Sequence, residues 1–232
     1  VTDTLSFQAA RLPQRPLDPG TLHLWRLRLA SAAGDTTDLW SLLSDAEQDR
    51  AERLATETLR ERYVRSHGRL RLILSHYLRQ DPQDIVFRFS DLGKPSVEQG
   101  GREPSARIEF NLSGSHDLAL VAVRLGRPVG VDCELIRPRR EILGIARRMF
   151  SPAVAQTLED LPAHQRIEGF YAAWTTLEAQ VKADGRGLFR PRGPVAAHLT
   201  TAQFRPAEGY LGAAAAEQLP GPDRWACYEW SG

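Results

Sequence analysis

Cysteine is nearly absent from this chain: Cys133 and Cys227 are the only two, with no CxxC spacing. That excludes a disulfide framework and makes the cytoplasm the expected compartment. An excess of one charge is also lacking, because 30 Lys and Arg face 29 Asp and Glu for a net +1. No global field therefore points to nucleic acid or to an acidic membrane. No run approaches about 18 apolar residues, so no membrane-spanning helix is expected. Residues 1–20 lack the apolar core of a secretion signal and read as a loose leader. There is no Walker A sequence, no GxGxxG after a strand and no GxSxG. What remains is ordinary for a globular protein. Apolar residues make up 42% and charged residues 25% of 232 residues, enough to bury a core in one large domain or two small ones.

The apolar pattern mixes helix and strand. Residues 21–30 alternate apolar and polar side chains and predict a half-buried strand. Ser44 with Glu47 three residues on is a capping-box pattern that opens a helix. A longer helix is predicted over 57–79, with Leu59, Tyr63, Leu70, Ile73, Leu74 and Tyr77 as its buried stripe. Segment 84–95 reads as a strand entering a turn at Gly93 and Pro95, and 107–135 reads as a series of short strands. Helices are predicted over 141–150 and about 165–183, the second stopped by Gly185, with further strands near 196–204 and 223–230. Without regular βαβ alternation the class is α+β. A division near Arg127–Gly130 would separate two halves, each offering a strand, a long helix and further strands.

Three segments carry residues suited to chemistry. In GVDCE, 130–134, Asp132 and Glu134 share one face of a strand, because side chains alternate with period two. Paired carboxylates of this kind suit Mg²⁺ together with phosphate oxygens, or else form a solvated strand end paired with Arg137, Arg139 and Arg140. In WTTLEAQVKADGRGL, 174–188, Trp174, Glu178 and Lys182 fall on one slowly turning helical stripe. By itself that is equally an exposed Glu–Lys pair beside a core tryptophan. Arg50, Arg53, Arg60, Arg62, Arg65, Arg69 and Arg71 crowd two helices, and Lys94 follows in LGKP. Arginine forks match phosphate oxygens, although such a run is also what a solvated helical face looks like.

In combination these segments resemble a known family. FNLS at 110–113, GVDCE and WTTLEAQVKADGRGL, in that order, are similar to the 4′-phosphopantetheinyl transferase superfamily, of the Sfp type. LGKP at 92–95 and RRMF at 147–150 agree with it. The resemblance implies two similar, pseudo-symmetric α+β lobes, 1–129 and 130–232, with the active site between them. It implies Mg²⁺-dependent transfer of the phosphopantetheine arm of coenzyme A to a serine of an apo acyl or peptidyl carrier protein, releasing 3′,5′-ADP. Asp132, Glu134 and Glu178 would be the metal carboxylates, and Glu178, or a water it orients, would take the serine proton. Lys182 would neutralise the pyrophosphate and assist the leaving phosphate. Arg50, Arg62 and Lys94 would hold the nucleotide phosphates, and Ser113 would sit in a loop beside the nucleotide. Two positions depart from the family's pattern: Leu177 stands where lysine is usual, and Gly114 where a histidine touches the 3′-phosphate. By the same resemblance His116, two residues on, would substitute for that contact through a shift of the loop. Coenzyme A and a carrier protein are the expected partners of a monomer, with no nucleic acid and no membrane. The alternatives are a Mg²⁺-dependent phosphodiesterase or pyrophosphatase, and a non-enzymatic binder of coenzyme A or of a carrier.

Overall fold

The computed structural model describes residues 3–30, 36–185 and 198–232. The chain runs through β1 (Gln8–Ala10), β2 (Leu22–Arg28), α1 (Thr36–Ser41), α2 (Asp45–Glu52) and α3 (Glu57–Leu78). It continues through β3 (Phe87–Phe89), β4 (Pro95–Val97), β5 (Ile108–Ser115), β6 (Leu118–Leu125) and β7 (Val129–Leu135). Helices α4 (Ile142–Met149), α5 (Pro152–Asp160) and α6 (Ala163–Asp184) precede β8 (Leu199–Phe204), β9 (Tyr210–Glu217) and β10 (Trp225–Trp230).

Strand order is β1-β10-β2-β6-β5 in one sheet and β7-β9-β8 in a second, with β3 and β4 as a separate hairpin. Alternation along each strand decides the layers. Trp25, Leu27, Phe110, Val121 and Val123 of the larger sheet pack against Leu70, Ile73 and Leu74 of α3. Leu22, Leu24, Leu120 and Ala122, on the opposite face, meet Val131, Cys133, Phe204 and Ala214 of the smaller sheet. Helix α6 covers that sheet's other face, with Ala179 and Ala183 on Ala213 and Ala215. The result is four layers, helix–sheet–sheet–helix, of mixed α and β structure.

Several expectations need correction. FNLS lies inside β5 and is not a loop, because Phe110–Ser113 pair residue by residue with β6. Leu59 stays exposed in the first turn of α3, before the helix meets its sheet. Strand β9, YLGAAAAE, carries no β-branched signal; alanine serves there because α6 needs a shallow surface to lie on. Position 129–130 falls at the start of β7, at the step between sheets, and β10 returns the C-terminal strand to the larger sheet. Much of the arginine run is structural. Arg65 Nη1 donates to Leu29 O at 3.2 Å and Arg69 Nη1 to Arg28 O at 2.6 Å. Arg71 is buried on Glu47, Pro82 O and Ile85 O. Among the described residues no helix is long and apolar enough to cross a membrane.

Two buried imidazoles make the fold acid-sensitive. Trp25 Nε1 donates to Tyr77 Oη at 2.9 Å, and His23 Nδ1 lies 2.8 Å from the same oxygen. Burial lowers both His23 and His67 to about 4. Between about pH 6.5 and 4 the unfolded chain therefore binds protons that the folded chain refuses, and stability falls as pH falls through that window. Glu109 and Glu134, raised by burial, work in the opposite sense. By pH 5, His23 alone is expected to cost roughly 2 kcal/mol. Urea unfolding of wild type and His23→Phe at pH 7 and pH 5 isolates this, since the variant's lost Tyr77 bond is independent of pH. Equal slopes for the two proteins would mean that His23 is not held neutral.

Candidate active site

The site begins with an approach of two backbones. A Cβ on Gly130 would lie 2.0 Å from Ala179 O and 2.4 Å from Ala183 N, so only glycine lets α6 lie directly on β7. The helix is thereby registered so that Lys182 reaches across β7 to Asp132. Lys182 Nζ lies 2.6 Å from Asp132 Oδ1 and 3.0 Å from Ser113 Oγ, and Ser113 Oγ donates to Asp132 Oδ1 at 2.7 Å. Two residues along, Ser115 Oγ donates to Glu134 Oε2 at 2.6 Å. Asp132 is 3% exposed, and its Oδ2 is buried with no hydrogen-bond partner among the described residues.

Electrostatics follow from this packing. Burial acts to lower Lys182, but the charge and hydrogen bond of Asp132, together with the charge of Glu178, outweigh it and raise its pKa. Lys182 is a fixed ammonium. Glu134 is raised by burial and by Asp132, against the Ser115 bond and the charges of Lys182 and Arg137. Glu178 is half-buried on α6, one turn before Lys182. The chain has only two lysines, and both meet at this end of α6: Lys94 Nζ donates to Ala183 O at 2.8 Å.

The other expected residues lie around this cluster. Arg62 donates through Nε and Nη2 to Asp117 Oδ1 at 3.0 and 2.7 Å, on the turn that also holds His116. His116 has φ 53°, and its Nε2 lies 3.4 Å from Arg137 Nη1. Arg50 is exposed on α2, its guanidinium 6.0 Å from the centre of the Tyr63 ring. Leu177 is core, packed with Phe150, Phe170 and Tyr171, and Trp174 stacks on Phe170. Gly114 is exposed in β5, where a Cβ would meet only ordinary contact with Ala119. Residues that sequence reasoning missed are Asn111 and Ser115, whose signal was the period-two polar pattern Asn111-Ser113-Ser115, and Gly130, which looked like any strand glycine.

Among the described residues, no three His, Cys, Asp or Glu side chains gather into a metal centre. Asp132 and Glu134 do offer two neighbouring carboxylates, and the buried Oδ2 of Asp132, unpartnered among the described residues, can accept a cation or a hydrogen-bond donor. This all-oxygen donor pair fits Mg²⁺, which keeps few protein ligands and completes its shell with phosphate oxygens and water.

Comparison with known proteins adds an independent line. A family model described as the 4′-phosphopantetheinyl transferase superfamily matches residues 128–218. The chain is 36% identical over 176 residues to the 4′-phosphopantetheinyl transferase HetI of Nostoc sp. strain PCC 7120, covering 76% of this chain and 73% of that one. It is 33% identical over 149 residues to a putative 4′-phosphopantetheinyl transferase, slr0495, of Synechocystis sp. strain PCC 6803, covering 64% of this chain and 59% of that one. Against the 4′-phosphopantetheinyl transferase Sfp of Bacillus subtilis strain 168 the identity is 27% over 151 residues, covering 65% of this chain and 64% of that one.

Proposed function

The chain belongs to the 4′-phosphopantetheinyl transferase superfamily, and from that premise we propose that the Asp132–Ser113–Lys182 cluster and its surroundings are its active site. The protein is a transferase that moves phosphopantetheine from coenzyme A to a carrier protein. In our reading the carrier serine Oγ attacks the phosphorus that bears the pantetheine arm. A new O–P bond forms there, the bond to the bridging diphosphate oxygen breaks, and 3′,5′-ADP leaves. The serine proton goes to Glu178 or to a water it orients. Lys182, already a fixed ammonium, neutralises charge on the leaving phosphate. Asp132 and Glu134 would hold Mg²⁺, with Glu178 as a third carboxylate that this structure does not gather with them; when bound the ion would neutralise the diphosphate and fix its orientation.

The observation that carries this reading is the pairing of a buried carboxylate having one free oxygen with one of only two lysines in the chain. A buried polar atom left without a partner calls for an explanation, and a cation bound there during function is one. A binding face for an acidic carrier is supported by Arg137, Arg139, Arg140 and Arg148, all exposed just beyond β7 and along α4. A depression of about 600 Å³ opens among Ile136, Arg139, Ile142 and Ile167 in the same region. The two-lobed, pseudo-symmetric organisation, divided at 129–130, is part of the proposal, supported by one 22-residue helix on the outer face of each sheet. So are action as a monomer and the cytoplasm as its place.

Incubation with coenzyme A, Mg²⁺ and a panel of apo carrier proteins, read by intact mass, tests the reading. The expected result is a carrier that gains one phosphopantetheine, with 3′,5′-ADP formed in equal amount. Hydrolysis of coenzyme A with no carrier present would support the phosphodiesterase, and binding of coenzyme A without either reaction would support the binder.

A further inference from the structure

Strands β5 and β7 are each the edge of a sheet: among the described residues β5 pairs as a strand with β6 alone, and β7 with β9 alone. These edges meet, and the amides of an edge strand buried in that way need other acceptors. Side chains of β5 supply them. Asn111 Oδ1 accepts from Val131 N at 2.8 Å, and Ser115 Oγ accepts from Leu135 N at 3.3 Å. Between these two, Ser113 receives Lys182 Nζ at 3.0 Å. The period-two pattern Asn111-Ser113-Ser115 thus forms a ladder that stitches one sheet edge to the other.

The ladder leaves neither serine a choice of direction. A hydroxyl has one proton, and an ammonium or a backbone N–H can only donate. A carboxylate oxygen can only accept, so Ser113, which accepts from Lys182, gives its proton to Asp132 Oδ1, and Ser115, which accepts from Leu135 N, gives its proton to Glu134 Oε2. Both hydroxyls are used up as donors. Each ties one oxygen of a carboxylate and leaves the other out of the bond; for Asp132 that other oxygen is the buried, unpartnered Oδ2.

From this geometry we infer that Ser113 and Ser115 are positioning residues, which orient Asp132 and Glu134 to hold a divalent cation and are not themselves ligands of a nucleotide phosphate. The inference rests on the proposed transferase site, and it reassigns Ser113 from the nucleotide side of that site to the carboxylate side. Losing a partner that orients a metal ligand typically weakens metal binding by about 10- to 100-fold. Threonine keeps the hydroxyl and suits a strand.

The experiment uses Mn²⁺ as probe, followed by its electron paramagnetic resonance signal in the presence of coenzyme A or 3′-dephospho-coenzyme A, on the full chain. Ser113→Ala is expected to weaken Mn²⁺ binding by about tenfold or more with either nucleotide, and Ser113→Thr to restore most of it. Nucleotide affinity in EDTA should remain at the wild-type value in both. Should Ser113→Ala fail to fold, Ser115→Ala carries the same expectation through Glu134, since Ser115 is only partly buried. A loss seen with coenzyme A but absent with the dephospho form would make Ser113 a 3′-phosphate ligand and overturn the inference. Unchanged Mn²⁺ affinity in both alanine variants would overturn it while leaving the transferase reading intact. Wild-type protein that binds no Mn²⁺ in the presence of coenzyme A would overturn the inference and the metal assignment together, whereas transfer to a carrier is scored separately by mass.

Discussion

Glu178→Gln is expected to lower phosphopantetheine transfer by about 10²-fold or more while leaving the protein folded. The substitution preserves shape and hydrogen-bonding capacity but removes both a metal-directed charge and the proposed base. Its structural cost is small, because Glu178 is half-buried on α6. Single-turnover transfer, read by carrier mass beside a thermal melt, checks both halves of this expectation. Wild-type rates in the variant would remove Glu178 from the mechanism. Lys182→Ala is a poorer probe than its place on a polar helical stripe implies. Asp132 is 3% exposed and is paired with Lys182 Nζ at 2.6 Å. Removing the ammonium leaves a buried carboxylate without a counter-charge, at a cost of roughly 3–5 kcal/mol. A fall in activity there would mix mechanism with unfolding.

An equally large loss of stability is expected far from the proposed site. Glu47 accepts from Arg71 Nε and Nη2 at 2.9 and 2.6 Å, and also from Ser44 N at 2.9 Å. The Arg71 and Glu47 side chains are only 2% and 13% exposed. Burial acts to raise the Glu47 carboxyl, but the Arg71 and Ser44 bonds outweigh it and hold its pKa down, so the pair's contribution is present at neutral pH and fades as pH falls below about 4.5. Glu47→Ala is expected to cost about 3–5 kcal/mol at pH 7, because it strands a buried guanidinium. For a chain of this length that lowers Tm by roughly 10 °C. The exposed pair Arg88–Glu98, at 67% and 54%, serves as the control; its removal should change stability by less than about 1 kcal/mol. A Glu47→Ala protein as stable as that control would show that Arg71 is satisfied by Pro82 O and Ile85 O alone.

Local patterns are legible without coordinates where the cause is local. The Ser44–Glu47 capping box and the αL stop at Gly185 depend on neighbours within a few residues, and each occurs where the sequence predicts it. The helix of the WTTLEAQVKAD run and the strand of GVDCE belong to the same class. Segment β2 is a strand as predicted, but it is buried on both faces and not half-buried, because a helix packs on one side of its sheet and a second sheet on the other. Residues whose role depends on a distant partner are not legible in this way. Arg65, Arg69 and Arg71 read as a charged helical face, and their burial is set by carbonyls and carboxylates up to tens of residues away. Strand β9 was invisible because its alanines answer to α6 and not to strand propensity.

By itself the sequence determined the family, the mixed α and β class, and the three motifs proposed to carry the chemistry, because residue types at short spacings are enough for each. Tertiary structure alone decided how those motifs meet. Asp132 and Lys182 are fifty positions apart, and only the backbone contact of Gly130 with α6 brings them within hydrogen-bond distance. Ser113 changed sides for the same reason. A serine in a motif is consistent with several partners, and the single proton of its hydroxyl goes to whichever acceptor the packing of two sheet edges puts beside it.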